Sequence, residues 1–493
     1  MKKNIMKSAI FILLFLIVIS GLTILMLQKP TTDNLGFYEQ RKNSIDVLYI
    51  GSSHTYCSIS PLELYEEYGY TGYIRATACQ RSWESYALLV ESLKYQKPKV
   101  VVYEVMSSYH DQPQYEAFAR EIYDTMRPGE GKAIGLLAEF ENPETDKLSF
   151  IFPLFRYHER WKELGEKDFT YLFETDHIPN KGYAMFFENN PAPPDYDVDR
   201  FKADMEAKPV PERSAQYIRM MKALCDENGI QFVMFKAPTA YVPYWDVGMS
   251  KGTKALAEEL GVLFIDYNMG ENAIEIDWNS ETSDGGNHLN HYGAMKVTPV
   301  FGKWLKEQFD LPDHRGDLAY ASWDEHYRMY QQSIAENELQ KTGNFEAYME
   351  LIKEYFVNDE DYLVMITGKK NFLNAMTENQ IQKLVDIGDD LDYISDGEQG
   401  IDPNMFAVNG GKILYKKQTP DNIADTFFIK GHTVTIDCQN EASGDCCDVY
   451  IDGTSVSLNA MGLDVIIYDI KKQRILDSSF AKFDENGELK VYR

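Results

Sequence analysis

Residues 47–54 read Val47-Leu48-Tyr49-Ile50-Gly51-Ser52-Ser53-His54. The first four form an apolar run of strand length with no polar alternation, as expected for a strand buried inside a parallel sheet. Gly51 opens a turn. Beyond it, Ser60-Pro61-Leu62-Glu63 reads as a helix start. Ser60 can cap, Pro61 suits the first helical position, and Glu63 can reach back in a capping box. The result is a glycine-led turn at the carboxyl end of a first strand, where open α/β sheets place their ligands. A serine hydroxyl there lies close to unpaired backbone N–H groups and needs only a base to become a nucleophile.

The base candidate is far downstream, in Ser283-Asp284-Gly285-Gly286-Asn287-His288-Leu289-Asn290-His291-Tyr292-Gly293. An Asp shortly before a His, in a glycine-rich loop leading into a helix, can orient the imidazole within one local turn. The imidazole can then take the serine proton. Of the nine histidines, His288 alone has this setting; its plainer reading is a cap. His291 can lie nearby, His54 follows the serine and reads as packing, and His158 reads as packed. Asp277 is the second choice for the acid.

Together the two stretches resemble the SGNH/GDSL hydrolases, over about residues 40–310. Gly51-Ser52-Ser53 is similar to that family's first block, and Asp284 with His288 to its last block, usually Asp-x-x-His; here one more residue separates the pair. The resemblance implies a three-layer, flavodoxin-like α/β domain with a mostly parallel sheet. It also implies a catalytic set of Ser53, Asp284 and His288. The loop Thr77-Ala78-Cys79-Gln80 falls where the family supplies a second oxyanion donor, which points to Cys79 and Gln80, against an ordinary strand–helix connection. The family's third-block Asn has no clear counterpart; Glu104 stands near its place. The flavour is that of the membrane-anchored cell-envelope branch, which includes the teichoic acid D-alanyl transfer and alginate O-acetylation proteins. That branch implies a membrane-bound O-acyltransferase partner and an acyl-ester substrate on envelope polysaccharide.

The whole chain sets limits. At 493 residues it is too long for one ordinary domain. A net charge of −28 argues against nucleic acid, which needs a basic surface, and against a broad electrostatic grip on anionic lipid. No glycine-rich phosphate loop and no metal-ligand cluster is visible, so neither a cofactor nor a metal is implied. The six cysteines lack zinc spacing. Cys438 can face Cys446 or Cys447 across a short hairpin and form a disulfide; unpaired core thiols are the plainer reading.

In chain order, Lys2, Lys3 and Lys7 precede an uncharged run at 9–27. Its nineteen residues would span about 28 Å of helix, near a bilayer core. Residues 1–30 therefore read as an uncleaved signal anchor, with the lysines in the cytoplasm and the rest of the chain outside. A cleaved signal peptide is the alternative. Residues 31–44 read as a polar tether. Strands follow at 47–50, 73–76 and 100–103, with helices between them. An aromatic-rich insertion spans 106–200; it includes Phe150, Phe152, Phe155, Tyr157, Trp161, Tyr171, Phe173, Tyr183, Phe186 and Phe187. It reads as a substrate lid, or more plainly as an aromatic-filled helical subdomain. Lys236, at the end of the next strand, can face the site but more simply is solvated. The catalytic domain runs over 31–310 and a charged helical connector over 311–358. A smaller, β-rich α+β domain over 359–493 has hairpin signals at Asn409-Gly410-Gly411 and Asp452-Gly453. Within it, Gly462-Leu463-Asp464-Val465-Ile466-Ile467-Tyr468-Asp469 and Ile475-Leu476-Asp477-Ser478-Ser479-Phe480 resemble the interleukin-like EMT-inducer domain, whose relatives in some cases bind sugar; the resemblance implies glycan binding, against a purely structural β-rich module.

Two functions emerge as expectations. One is a membrane-tethered, extracytoplasmic serine esterase or O-acyltransferase. The other is a polysaccharide-binding envelope protein with an idle site.

Overall fold

The apolar run at 47–50 lies inside a five-stranded sheet. Its strands are β1 (Val47–Gly51), β2 (Gly72–Ala76), β3 (Val100–Glu104), β4 (Gln231–Lys236) and β5 (Leu263–Asp266), in the order β2-β1-β3-β4-β5. All four pairings are parallel. This is the strand order of flavodoxin-like sheets, with its switch point between β1 and β3. Every residue of β1 and β3 is buried. Both faces of those strands are therefore covered, and alternation is not needed. The computed structural model describes residues 2–28, 34–170, 180–193, 201, 204–240, 245–373, 375–387, 403–419, 421–439, 447–458 and 462–493.

Side chains one register step apart identify the two covering layers. Tyr49 and Phe235 meet Phe301 of the helix His291–Gln308, at ring separations of 6.4 and 4.6 Å. Arg75 and Tyr103 point the other way, to Glu91 and Ser82. Successive strand residues face opposite sides, so the sheet is the middle of three layers.

In chain order the first α-helices are α1 (Lys2–Met26), α2 (Ser53–Tyr56), α3 (Pro61–Tyr68), α4 (Ser82–Ser92) and α5 (Glu116–Tyr123). Among the described residues, the segment Ile5–Met26 of α1 is the one helix long and apolar enough to cross a membrane. At α3, the Ser60 side chain accepts from the Glu63 N–H as expected. The Ser60 N–H donates to Thr298 Oγ1 at 3.1 Å, where a capping box would have it donate to the Glu63 carboxylate. The cap thus ties α3 to the helix that comes after the His288 loop.

The polar-tether reading of 31–44 needs correction. Residues 31–33 lie outside the described residues, but Gly36–Glu39 forms a 3₁₀ turn that buries Phe37. The Phe37 ring sits edge-on to Tyr73 and under the Arg75 guanidinium. A Phe37-Tyr38 pair in a polar stretch gave no periodic signal, yet Phe37 docks on the sheet.

The chain divides into two units, Met1–Tyr330 and Gln331–Arg493. The boundary falls inside the helix Ala321–Lys341, within the stretch read as a connector. The helix Phe345–Tyr355, also read as connector, buries Phe345, Tyr348, Met349 and Ile352 in the core of the second unit.

The second unit has a six-stranded and a four-stranded sheet. Its strands are β6 (Tyr362–Lys369), β7 (Pro403–Asn409), β8 (Lys412–Gln418), β9 (Ile423–Ile429), β10 (His432–Cys438), β11 (Cys447–Ile451), β12 (Thr454–Ser455), β13 (Leu463–Asp469), β14 (Arg474–Phe483) and β15 (Leu489–Tyr492). All their pairings are antiparallel. Leu363, Met365, Ala407 and Ile466 pack on Val434, Ile436, Val449 and Ile451 of the smaller sheet. Val364, Ile366, Phe406 and Ile467, on the other face, pack under helices. Cys438 and Cys447 face each other in β10 and β11 and are joined by a disulfide. This departs from the free-thiol reading; Cys446 lies outside the described residues.

Candidate active site

Ser53 is the first residue of α2, separated from β1 by Ser52 alone. Gly51 is required there by packing. A Cβ at this position would lie 2.8 Å from Glu104 Cβ and 2.3 Å from Thr55 Oγ1. The ends of β1 and β3 can approach this closely only without a side chain.

Thr282 braces the loop that carries the histidine. Thr282 Oγ1 donates to His288 O at 2.8 Å and accepts from Gly286 N–H at 2.8 Å. Gly285 and Gly286 have φ of +77° and +91°. These left-handed residues fold the chain back between Asp284 and His288 and take up the longer spacing. Both carboxylate oxygens consequently reach the histidine. Asp284 Oδ1 accepts from the His288 backbone N–H at 2.7 Å, and Oδ2 lies 2.6 Å from Nδ1. The loop is docked through Ala240 N–H, which donates to Gly286 O at 2.6 Å. Asn290 then caps the next helix by accepting from Gly293 N–H at 3.2 Å.

His288 Nε2 lies 2.6 Å from Ser53 Oγ. With Nδ1–H donated to Asp284, Nε2 carries the lone pair and accepts the serine O–H. Three side chains, from two distant parts of the chain, are thus hydrogen-bonded in series. Ser53 and His288 line a cleft of about 540 Å³ whose wall also includes Ser52, His54, Cys79, Arg81, Ser107, His110, Gln114, Tyr115 and Asn287. Two backbone donors at this cleft are unclaimed. Among the described residues, no acceptor takes the N–H of Ser53 or of Cys79. Cys79 has a φ of +56°.

No family model matches this sequence, and no curated protein matches it. Solved structures do resemble the fold. An acylhydrolase candidate from Bacteroides fragilis NCTC 9343 aligns at 14% identity over 56% of this chain and 95% of its own, with a TM-score of 0.28. A GDSL-like lipase from Bacteroides thetaiotaomicron VPI-5482 aligns at 15% identity over 57% and 93%, with a TM-score of 0.25. Axe2, an acetylxylan esterase from Geobacillus stearothermophilus, aligns at 16% identity over 54% and 95%, with a TM-score of 0.19. The chemistry assigned to the site rests on its own geometry.

Of the sequence candidates, Ser53, Asp284, His288 and Cys79 come together and Gln80 does not. Gln80 is fully buried in its own loop. Its Oε1 accepts from Thr77 N–H at 3.1 Å, and its Nε2 donates to Ser85 Oγ at 2.9 Å. It braces the loop that presents Cys79. The Cys79 thiol is pushed up, first by desolvation, and stays protonated near neutral pH.

Lys236 is not solvated, contrary to expectation. It is fully buried and pairs with the equally buried Glu104 at 3.1 Å. Glu104 also accepts from Met106 N–H at 3.0 Å and Ala237 N–H at 3.3 Å, so its carboxylate ties the ends of β3 and β4 together. Burial raises its pKa, with Lys236 opposing. His158 is exposed, not packed. Among the described residues, the Asp277 carboxylate accepts hydrogen bonds within its own turn, from Asn279 and Ser280. His291 is buried against Phe187 and bonds Tyr183. His54 is buried, as read, with its ring 4.8 Å from that of His288. Burial, then the Lys236 and His288 charges, holds its imidazole well below the ordinary value. A neutral ring therefore stands beside the base.

The aromatic insertion reaches the cleft by an unexpected route. Phe150, Tyr157 and Tyr183 are buried, while Phe152, Phe155 and Trp161 are exposed, and none of them lines the cleft. Tyr171 and Phe173 lie outside the described residues. The cleft wall instead takes Ser107, His110, Gln114 and Tyr115 from the start of the insertion. Sequence reading also missed Arg81, which comes directly after the Cys79-Gln80 loop. Its Nε donates to Gln112 O at 2.8 Å, and among the described residues Nη1 and Nη2 meet no acceptor. A fixed cationic fork of this kind can pair with an anionic group on a substrate.

Proposed function

We propose that this protein is a membrane-tethered, extracytoplasmic serine esterase or O-acyltransferase of SGNH type, acting on acyl esters of envelope polysaccharide. The observation that carries the reading is the series Asp284–His288–Ser53, with distances of 2.6 Å at each ring nitrogen, at a cleft with two unclaimed backbone donors. The apolar α1 supports the tether. The Cys438–Cys447 disulfide supports an oxidising compartment, outside the cytoplasm.

The residues define the chemistry. Ser53 Oγ bonds the acyl carbon as its proton passes to His288 Nε2. The carbonyl electron pair moves onto oxygen, and the N–H groups of Ser53 and Cys79 stabilise it. Collapse breaks the ester C–O bond, and Nε2 returns the proton to the leaving alkoxide. Water or a glycan hydroxyl then gives a proton to Nε2 as its oxygen attacks the acyl-serine, and Nε2 passes that proton to Ser53 Oγ as the acyl C–O bond breaks. Asp284 holds the ring in the Nδ1–H tautomer and stabilises the imidazolium. In the transferase version, a membrane-bound O-acyltransferase supplies the acyl group and the second unit holds glycan.

The test is labelling of the full chain in detergent with a fluorophosphonate, beside Ser53→Ala and His288→Ala. Labelling of the parent and of neither variant is the expected outcome. A folded parent that takes no label would sink the enzyme reading and leave the polysaccharide-binding one.

A further inference from the structure

The segment 147–170 consists of short helices, Lys147–Ile151, Leu154–Tyr157 and Glu166–Thr170, with a 3₁₀ turn His158–Lys162. Its inner side is fastened to α5. Arg120 Nη2 donates to Ser149 Oγ at 2.5 Å, and its guanidinium lies 4.3 Å from the centre of the Phe150 ring. Tyr157 OH donates to Asp124 at 2.8 Å. The segment also exposes large apolar side chains, interspersed with charged ones such as Arg156, Glu159 and Lys162. Leu148, Ile151, Phe152, Phe155, Trp161 and Phe169 are 52–62% exposed. A soluble surface rarely gathers so many large apolar side chains within some twenty residues.

The same segment holds the end of α1. Arg160 Nη1 donates to Met26 O at 2.9 Å and Leu27 O at 2.6 Å, while Nη2 pairs with Asp168 at 2.7 Å. These carbonyls belong to the last turn of a helix, where cations are favoured. The apolar patch therefore begins where the membrane-length helix stops. Trp and other aromatics concentrate at that level of a bilayer.

We propose that the outer face of residues 147–170 is an interfacial membrane surface, with Phe152, Phe155, Trp161 and Phe169 seated in the lipid headgroup–acyl boundary beside α1. The proposal rests on α1 being a membrane span. Its functional consequence comes from α5, eight residues and roughly 12 Å long. One side of α5 carries the patch, and the residue before it, Tyr115, lines the cleft of Ser53. The cleft is thereby placed within one short helix of the lipid surface, which suits an acyl donor or acceptor that itself resides in the membrane.

The test uses the full chain in phosphatidylcholine–phosphatidylglycerol vesicles with and without brominated acyl chains. Trp161 is one of six tryptophans, so the parent is compared with Trp161→Phe, an exposed and conservative change. Brominated lipid should quench part of the parent emission, and Trp161→Phe should lose that quenched part. Equal quenching in both chains, or none, overturns the proposal. A Trp161 emission shielded from aqueous iodide yet insensitive to brominated lipid also overturns it and assigns the patch to a protein partner. Alkaline carbonate extraction separates the two levels. Release of the chain from the membrane defeats the span itself, whereas retention with an unquenched Trp161 defeats only the interfacial patch.

Discussion

Asp284 is held by two bonds to one histidine, and only one of them concerns chemistry. The bond to the His288 backbone N–H shapes the loop; the bond to Nδ1 fixes the tautomer. Asp284→Asn keeps an acceptor for the first and cannot serve both. We expect kcat to fall by about 10²–10⁴-fold with KM nearly unchanged, measured on a small activated ester. Circular dichroism should be unaltered. A second residue-scale prediction concerns Glu84, which is fully buried and accepts from Gln114 Nε2 and from Arg81 N–H. Burial, then the neighbouring Glu139 charge, pushes its pKa well up. A carboxyl whose folded pKa exceeds its unfolded one contributes stability that is full below the unfolded value and is lost as pH rises through the folded value. Glu84→Gln should therefore raise the melting temperature at pH 9 and change it little at pH 4, which a thermal scan at both pH values will show. At this scale the sequence was legible where a residue type announces chemistry, as for Ser53 and His288. It was illegible for Gln80, Arg81 and Lys236. Each of these could face either way, and only the third dimension decides which partner a long polar side chain meets.

The loop 282–290 shows how an element can carry specificity that no single side chain holds. Both glycines are left-handed, but they differ in surroundings. A Cβ on Gly285 meets open space, whereas one on Gly286 would sit 2.6 Å from Ala240 Cβ. Gly285→Ala should therefore cost only backbone strain, about 1–2 kcal/mol. Gly286→Ala must also move the loop away from residue 240, and His288 comes two residues later. A displacement of about 1 Å at a reacting group can cost ~10²-fold in rate. Fluorophosphonate labelling rates should thus separate the two variants even where denaturant midpoints do not. Equal labelling rates would mean that the docking of Gly286 on Ala240 does not position the base. The strand–turn–helix pattern around Ser53 was readable because apolar runs, glycine and proline punctuate it. The wall formed by 107–115 was not readable, because it is a short irregular stretch whose role depends on where the insertion folds back.

At the scale of the molecule, the two units are built on different periodicities, and that is why one was easier to read. The first alternates buried strands with amphipathic helices, a pattern visible in sequence. In the second, β6 sends Leu363 and Met365 to one core and Val364 and Ile366 to another. A run apolar on both faces fixes neither partner, and the expected connector helix Phe345–Tyr355 supplies one of them. The disulfide gives a way to perturb this unit alone. Cys438 and Cys447 close a short loop between β10 and β11, worth about 2–3 kcal/mol in the chain-entropy account. Cys438→Ser, which also denies Cys446 a partner at that position, should lower the protection of β9, β10 and β11 against hydrogen exchange. The residues that build the Ser53 site all lie in the first unit. Fluorophosphonate labelling should therefore keep its parental rate in Cys438→Ser, while the exchange of β1 and β3 amides stays unchanged. A matched fall in labelling and in β1 protection would show that the second unit's stability is coupled to the first, and the site would then have to be understood as a property of the whole chain.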